Sequence, residues 1–426
     1  MLSTSTALSN QSLMTNASSL PKTYRARWVW SAGRWIEDGR VTVVGRKIVA
    51  VATERQPGEI DLGDCVILPG LVNAHTHLEF SALSAPLPYQ QTFASWIRHV
   101  VAWRRVQTDS SDREAIQLGL TESAGAGVTL LGEIATHAWD APTERDVSDR
   151  DFTGPPSRTP QMVVFREVLG LLPEALEPQR AEACRHLVVG TTRPGEVPTN
   201  DWHPNWTAGL SPHSPYSLSR ELFDEVLHLA TQARCPVAMH LAETREELEL
   251  LASGTGPLVE LFTEWGLWLP GQLAAFRSPL EVLQQLSVLP RVLVIHGNYL
   301  SPDEINYLAG KDQFSVVYCP RTHSYFQHDR YPLVELLQRG IRVALGTDSR
   351  ASNPDLNLLF EVRHVAQLHP QIAPVTLLEM ATQNGAEALG LGHSVGRVAP
   401  GMRAELCVLP IKPGIRDPFE AVLAPN

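Results

Sequence analysis

Ile67-Leu68-Pro69-Gly70-Leu71-Val72-Asn73-Ala74-His75-Thr76-His77 joins an apolar run to two histidines one residue apart. Alternate side chains of an extended backbone leave on one side, so both imidazoles point the same way and can share one ion. Seven further apolar runs follow, at residues 128–134, 162–168, 207–210, 237–241, 292–295, 314–318 and 342–345, with helical stretches between them. With 67–74 they make eight alternating units, which predicts an α/β fold, a (β/α)8 TIM-like barrel of parallel strands.

Chemistry in such a barrel sits where strands end. His75 and His77 close the first run, His240 ends the fifth in Met239-His240-Leu241-Ala242-Glu243, His296 ends the sixth, and Asp348 follows the eighth in Gly346-Thr347-Asp348-Ser349. One such histidine alone reads best as a hydrogen-bonded structural residue. Independent structural histidines, however, have no reason to gather on one rim. Three imidazoles and a carboxylate suit one divalent ion, zinc first and Fe2+ second, and such an ion makes hydroxide available near neutral pH. Glu243, three residues past His240, is placed to reach beyond the ion and move a proton; its plainer alternative is a carboxylate facing a helix N-terminus.

Working outward, residues 24–66 are short and β-like with glycine-containing turns, and 393–426 turn β-like again around 396–409, so the two ends are expected to form a composite β-sandwich around a barrel of 67–392. A helix is expected over 376–389, and 254–280 reads as an inserted helical or capping element. The Ser-, Thr- and Asn-rich start, residues 1–23, lacks the basic and apolar parts of a secretory signal and reads as a disordered tail. The formal charge of −11 disfavours nucleic acid, which binds clustered Lys and Arg, and no stretch approaches the apolar length of a membrane span. Five scattered cysteines without a C-x-x-C pair fit a reducing cytoplasm. They also exclude cytidine-type zinc deaminases, which need that pair. The partners expected are a small-molecule substrate and, since large barrels often pair through their outer helices, a second copy in a homodimer.

These residues resemble the amidohydrolase superfamily, in the branch holding chlorohydrolases, guanine deaminase and the S-adenosylhomocysteine, adenosine and aminodeoxyfutalosine deaminases. The marks are residues 68–77 above, Ser211-Pro212-His213-Ser214-Pro215-Tyr216, His240-Leu241-Ala242-Glu243-Thr244, His296-Gly297 and Leu345-Gly346-Thr347-Asp348-Ser349. The resemblance implies that His75, His77, His240 and Asp348 hold one ion, that Glu243, His296 and Asp348 manage protons, and that His213 faces the substrate. Binuclear relatives bridge two ions with a carboxylated lysine at the fourth strand. No lysine lies between Lys47 and Lys311, so a mononuclear centre is expected, with Glu133 or Glu167 as the ligands of any surviving alternative.

Specificity is carried by loops. Adenosine-type relatives place an acid a turn or two beyond a tryptophan like Trp96, where this chain has Arg98, Arg104 and Arg105 instead. His77-Leu78-Glu79-Phe80-Ser81 resembles the aminodeoxyfutalosine deaminases, whose substrate carries a benzoate beside a 6-aminopurine. Arg321, His323 and Arg350 are therefore candidates for an anion, with an internal acid as the competing partner for each arginine. Trp96 and Glu79 complete the candidate substrate contacts. The expected activity is hydrolytic deamination of an aminopurine-type substrate. The alternatives are a cyclic amidase or chlorohydrolase on the same site, or a barrel kept as a non-enzymatic scaffold.

Overall fold

The computed structural model describes residues 20–139, 159–190, 206–269, 271 and 274–424. Of the expected N-terminal tail, residues 1–19 lie outside them, while Lys22 and Thr23 already belong to the first strand. That strand, β1 (Lys22–Ser31), is followed by β2 (Arg34–Val44), β3 (Lys47–Ala52), β4 (Ile60–Asp61) and β5 (Cys65–Pro69). Then come β6 (Leu71–Thr76), β7 (Val128–Ala135), β8 (Gln161–Val168), β9 (Trp206–Pro212), β10 (Val237–Leu241), β11 (Val292–His296), β12 (Phe314–Tyr318), β13 (Val343–Leu345) and β14 (Leu406–Pro410).

Strands β6 to β13 pair in sequence order, all parallel, and a bridge between Thr76 and Asp348 brings the last strand end to the first. This is the expected barrel. The composite layer is one six-stranded sheet in the order β14-β5-β1-β2-β3, with β4 on β1, and β14 pairs antiparallel with β5. Both chain ends therefore contribute to it. Trp30, Trp35 and Phe419 pack edge to face and hold the C-terminal segment against this layer.

Two of the predicted elements are divided. The run 67–74 is not one strand: it leaves the small sheet at Pro69 and enters the barrel at Leu71, and since both strands are buried throughout, no exposed position marks the change. The helix expected over 376–389 is two, Pro374–Met380 and Gln383–Ala388, broken where the Ala381 carbonyl accepts the Val72 N–H at 2.8 Å instead of continuing a helical ladder. In the insertion, the described part includes the helix Pro257–Glu264.

The interior of the barrel is filled by alternate residues, among them Val72, Leu130, Val163, Phe165, Ala238, Leu293, Ile295, Val317 and Ala344. Two residues beyond Ala238 on the same face comes His240; four beyond Ala344 comes Asp348. The inward periodicity that packs the core thus delivers the candidate ligand side chains to its upper end.

Candidate metal and proton-transfer centre

Three strand ends leave extended geometry through left-handed backbone at non-glycine residues: Ala242 (φ +51°), His296 (φ +67°) and Asp348 (φ +58°). Such conformations cost about 1 kcal/mol or more each and need support from their surroundings. At Asp348 the support is visible. Asn73 Nδ2 donates to Thr347 Oγ1 at 2.7 Å, the Thr347 N–H donates back to Asn73 Oδ1 at 3.1 Å, and the Asp348 N–H reaches the His75 carbonyl at 3.1 Å. Gly346 permits the approach, since a Cβ there would stand 2.9 Å from His75 Cβ.

His75, His77 and His240 bring ligand atoms within 4.8 Å of one another, and so do His75, His296 and Asp348. All five are buried. Both ring nitrogens of His75 and Nδ1 of His77 are buried without a hydrogen-bond partner among the described residues, which a protein rarely tolerates unless a ligand supplies one. His240 Nδ1 donates to the His213 carbonyl at 2.9 Å, fixing the tautomer that leaves Nε2 a lone pair. Ser352 Oγ and the Ser349 N–H orient the two oxygens of Asp348. The donors present thus fit one divalent cation.

Burial, reinforced by neighbouring histidines, holds His77 and His240 well below the ordinary imidazole value, so they stay neutral and ligand-competent. Burial does the same for His296 against the pull of Asp348. Burial pushes Asp348 up, but His75, whose Nε2 stands 3.6 Å from its Oδ1, and the field of His296 and His77 more than offset it and keep it ionised. Glu243 is the opposite case. Burial first, then Asp348 and Glu247, raises its carboxyl well above the usual range, and its Oε1 lies 3.5 Å from His296 Nε2. A carboxyl whose protonated form is favoured by burial stands beside the candidate metal ligands.

A sequence profile of the amidohydrolase family matches residues 66–424. The chain belongs to the amidohydrolase family. It is 29% identical over 392 residues to a 5-methylthioadenosine/S-adenosylhomocysteine deaminase of Pyrococcus furiosus, covering 88% of this chain and 81% of the relative. It is 30% identical over 377 residues to the aminodeoxyfutalosine deaminase of Deinococcus radiodurans, covering 83% and 81%. The fold is shared with Helicobacter pylori aminofutalosine deaminase bound to methylthio-coformycin (TM-score 0.77, 22% identity, covering 94% of this chain and 95% of that one). A zinc complex of atrazine chlorohydrolase from Arthrobacter aurescens is similar in fold at TM-score 0.73, with 21% identity and coverage of 94% and 91%.

In this amidohydrolase the expected anion site does not assemble. Arg321 gives its guanidinium to Glu361 (2.5 Å) and to both oxygens of Asp355 (2.9 and 2.7 Å), so the internal acids, not a substrate, hold it. His323 packs between Tyr318, Tyr331 and His328, and burial lowers it to about 4, which removes the charge an anion would need. Arg350 donates to the Leu83 carbonyl and lies 3.4 Å from Glu122. Glu79 accepts from Arg104 and from Thr136, and Trp96 Nε1 donates to the Ala351 carbonyl at 3.2 Å. His213 sits with its ring 4.9 Å from that of His240, its Nδ1 bonded to Ser217 Oγ and its Nε2 3.8 Å from Glu167. Glu133 turns both oxygens to the Leu78 N–H. Among the described residues neither Glu133 nor Glu167 joins the ligand groups.

Several supporting residues escaped the sequence reading: Asn73, Ser352, Tyr331, whose hydroxyl donates to the His296 carbonyl at 2.8 Å, and Glu247. Their signals were faint. Glu247 did carry one, because Thr244-Arg245-Glu246-Glu247 has the spacing of a capping box.

Proposed function

We propose that this amidohydrolase deaminates an aminopurine-type substrate, a 6-aminopurine nucleoside or its 5′-substituted derivative, with one divalent ion, zinc before iron. The observation that carries the reading is the buried Glu243 carboxyl, held protonatable and 3.5 Å from His296, next to the unpartnered His75 and His77 nitrogens. The named relatives, deaminases of such compounds, support the substrate class. A bound divalent ion at His75, His77, His240 and Asp348 would supply a water acidic enough to attack near neutral pH.

Glu243 takes a proton from the attacking water and gives it to the purine ring nitrogen, which opens C6 to addition. His296 and Asp348 hold the second proton while the C6–N bond breaks. Water contributes the oxygen, the amino group leaves as ammonia, and the ring keeps a carbonyl and an N–H. We place His213 against the purine, and Trp96 and Glu79 toward the rest of the nucleoside. Glu79 borders a cavity of about 290 Å3 shared with Asp112, Glu133, Thr136 and Trp139.

The test is ammonia release from adenosine, 5-methylthioadenosine, S-adenosylhomocysteine, aminodeoxyfutalosine, guanine and a chlorotriazine, using protein loaded with Zn2+ or, anaerobically, with Fe2+. Ammonia from one or more 6-aminopurine nucleosides is expected. Chloride from the triazine, or ammonia from guanine alone, would overturn the reading.

A further inference from the structure

We propose that Glu247 is the positioning residue for Glu243. Glu247 stands in the first turn of the helix Arg245–Ser253 and is fully buried. Its sequence spacing from Thr244 suggests a capping box, and half of one is present: Thr244 Oγ1 accepts the Glu247 N–H at 3.0 Å. The carboxylate, however, does not return to the cap residue. It reaches further back, one oxygen accepting the Ala242 N–H at 2.9 Å and the other the Glu243 N–H at 2.7 Å.

Two consecutive N–H groups can converge on one carboxylate because Ala242 has the left-handed φ of +51°, which curls them to the same side. That conformation is unfavourable for alanine, and the two bonds to Glu247 hold it. The carbonyl side is pinned from the end of β11: the Tyr299 N–H donates to the Ala242 oxygen at 2.9 Å and Asn298 Nδ2 to the Glu243 oxygen at 3.0 Å. The Ala242–Glu243 peptide is thus tied at both its carbonyl and its N–H, with the Ala242 N–H and the Glu243 carbonyl bonded on either side, and the Glu243 side chain leaves from a fixed point toward His296.

Glu247 touches no reacting atom. It acts through Glu243, so the inference rests on the proton-carrying role proposed above. Glutamine at position 247 offers one acceptor oxygen where two N–H groups need one each, and turns an NH2 toward the other.

The test measures amide hydrogen exchange in the Zn2+-loaded Glu247→Gln protein, with kcat, KM and bound zinc on the same samples. Leu283→Ala, a core change in the buried face of the helix Pro279–Leu286, serves as a control for lost stability. Exchange at Ala242 and Glu243 is expected to accelerate at least about tenfold, with β11 amides unchanged and zinc retained. A displacement of the order of 1 Å lowers kcat by about 10²-fold, with KM within about twofold, a split that Leu283→Ala does not show. If the glutamine variant fails to fold, Glu247→Asp, with both acceptors on a shorter stem, must show the same pattern. Unchanged exchange at Ala242 and Glu243, or a kcat loss no greater than in Leu283→Ala, overturns the proposal. If wild type releases no ammonia but the exchange pattern appears, the deaminase reading fails and the positioning role stands.

Discussion

The barrel rim has two unlike halves. Where β6, β10, β11 and β13 end, polar side chains converge on one another with ring nitrogens left unpartnered, as at His75 and His77. Where β7 and β12 end, equally polar groups are engaged inside the protein: Glu133 on the Leu78 N–H, and Arg321 on Asp355 and Glu361. Burying an unpaired polar group is costly, so a cluster of them marks a place for a ligand, whereas a satisfied network marks structure or a field around the ligand.

Glu243→Gln should break the first half most severely. It removes the proposed proton carrier but none of the proposed metal ligands, so turnover is expected to fall about 10³-fold while metal analysis finds the ion retained. Arg321→Met probes the second half. It takes the counter-ion from Glu361, fully buried and left with only the residue-321 N–H and Asn353 as donors, and should cost about 3–5 kcal/mol in denaturant unfolding, with KM of the folded enzyme unchanged. A raised KM at unchanged stability would instead return Arg321 to the substrate.

His186 sharpens the comparison on pH. Its Nε2 bonds to the Val164 carbonyl at 2.9 Å, and burial, opposed by that bond, lowers it from 6.5 to about 4. The unfolded chain therefore binds the proton more tightly than the folded one. The stability from His186 is fully present above pH 6.5 and is lost as pH falls toward 4, by up to about 3 kcal/mol. His186→Gln should flatten that part of the unfolding-midpoint curve against pH; an unchanged slope would show that burial there does not hold the imidazole neutral.

The first half was readable because its information is local. Each candidate ligand ends or closely follows an apolar run, and a period of two carries the inward face from Ala238 to His240 and from Ala344 to Asp348. The second half was not, because partners far apart in sequence decide each role. Arg321 beside Pro320 and His323 suggests an anion site until Asp355 and Glu361 fold back onto it. The eight strands were legible from their burial. That same burial hid the change of sheet at Gly70, since every residue of β5 and β6 is buried and no exposed position marks the break. Glu247 was missed for a related reason: its spacing names a helix cap, and only the left-handed turn at Ala242 redirects the carboxylate to the catalytic segment.

The most direct test of the account is metal stoichiometry, measured by elemental analysis on chelator-stripped protein reconstituted with limiting Zn2+, beside Asp348→Asn and Glu133→Gln. One ion per chain, with ammonia release rising in step with occupancy, affinity reduced by Asp348→Asn and unchanged by Glu133→Gln, is the predicted result. Two ions per chain, an affinity that depends on Glu133, or full activity in the stripped protein would contradict it.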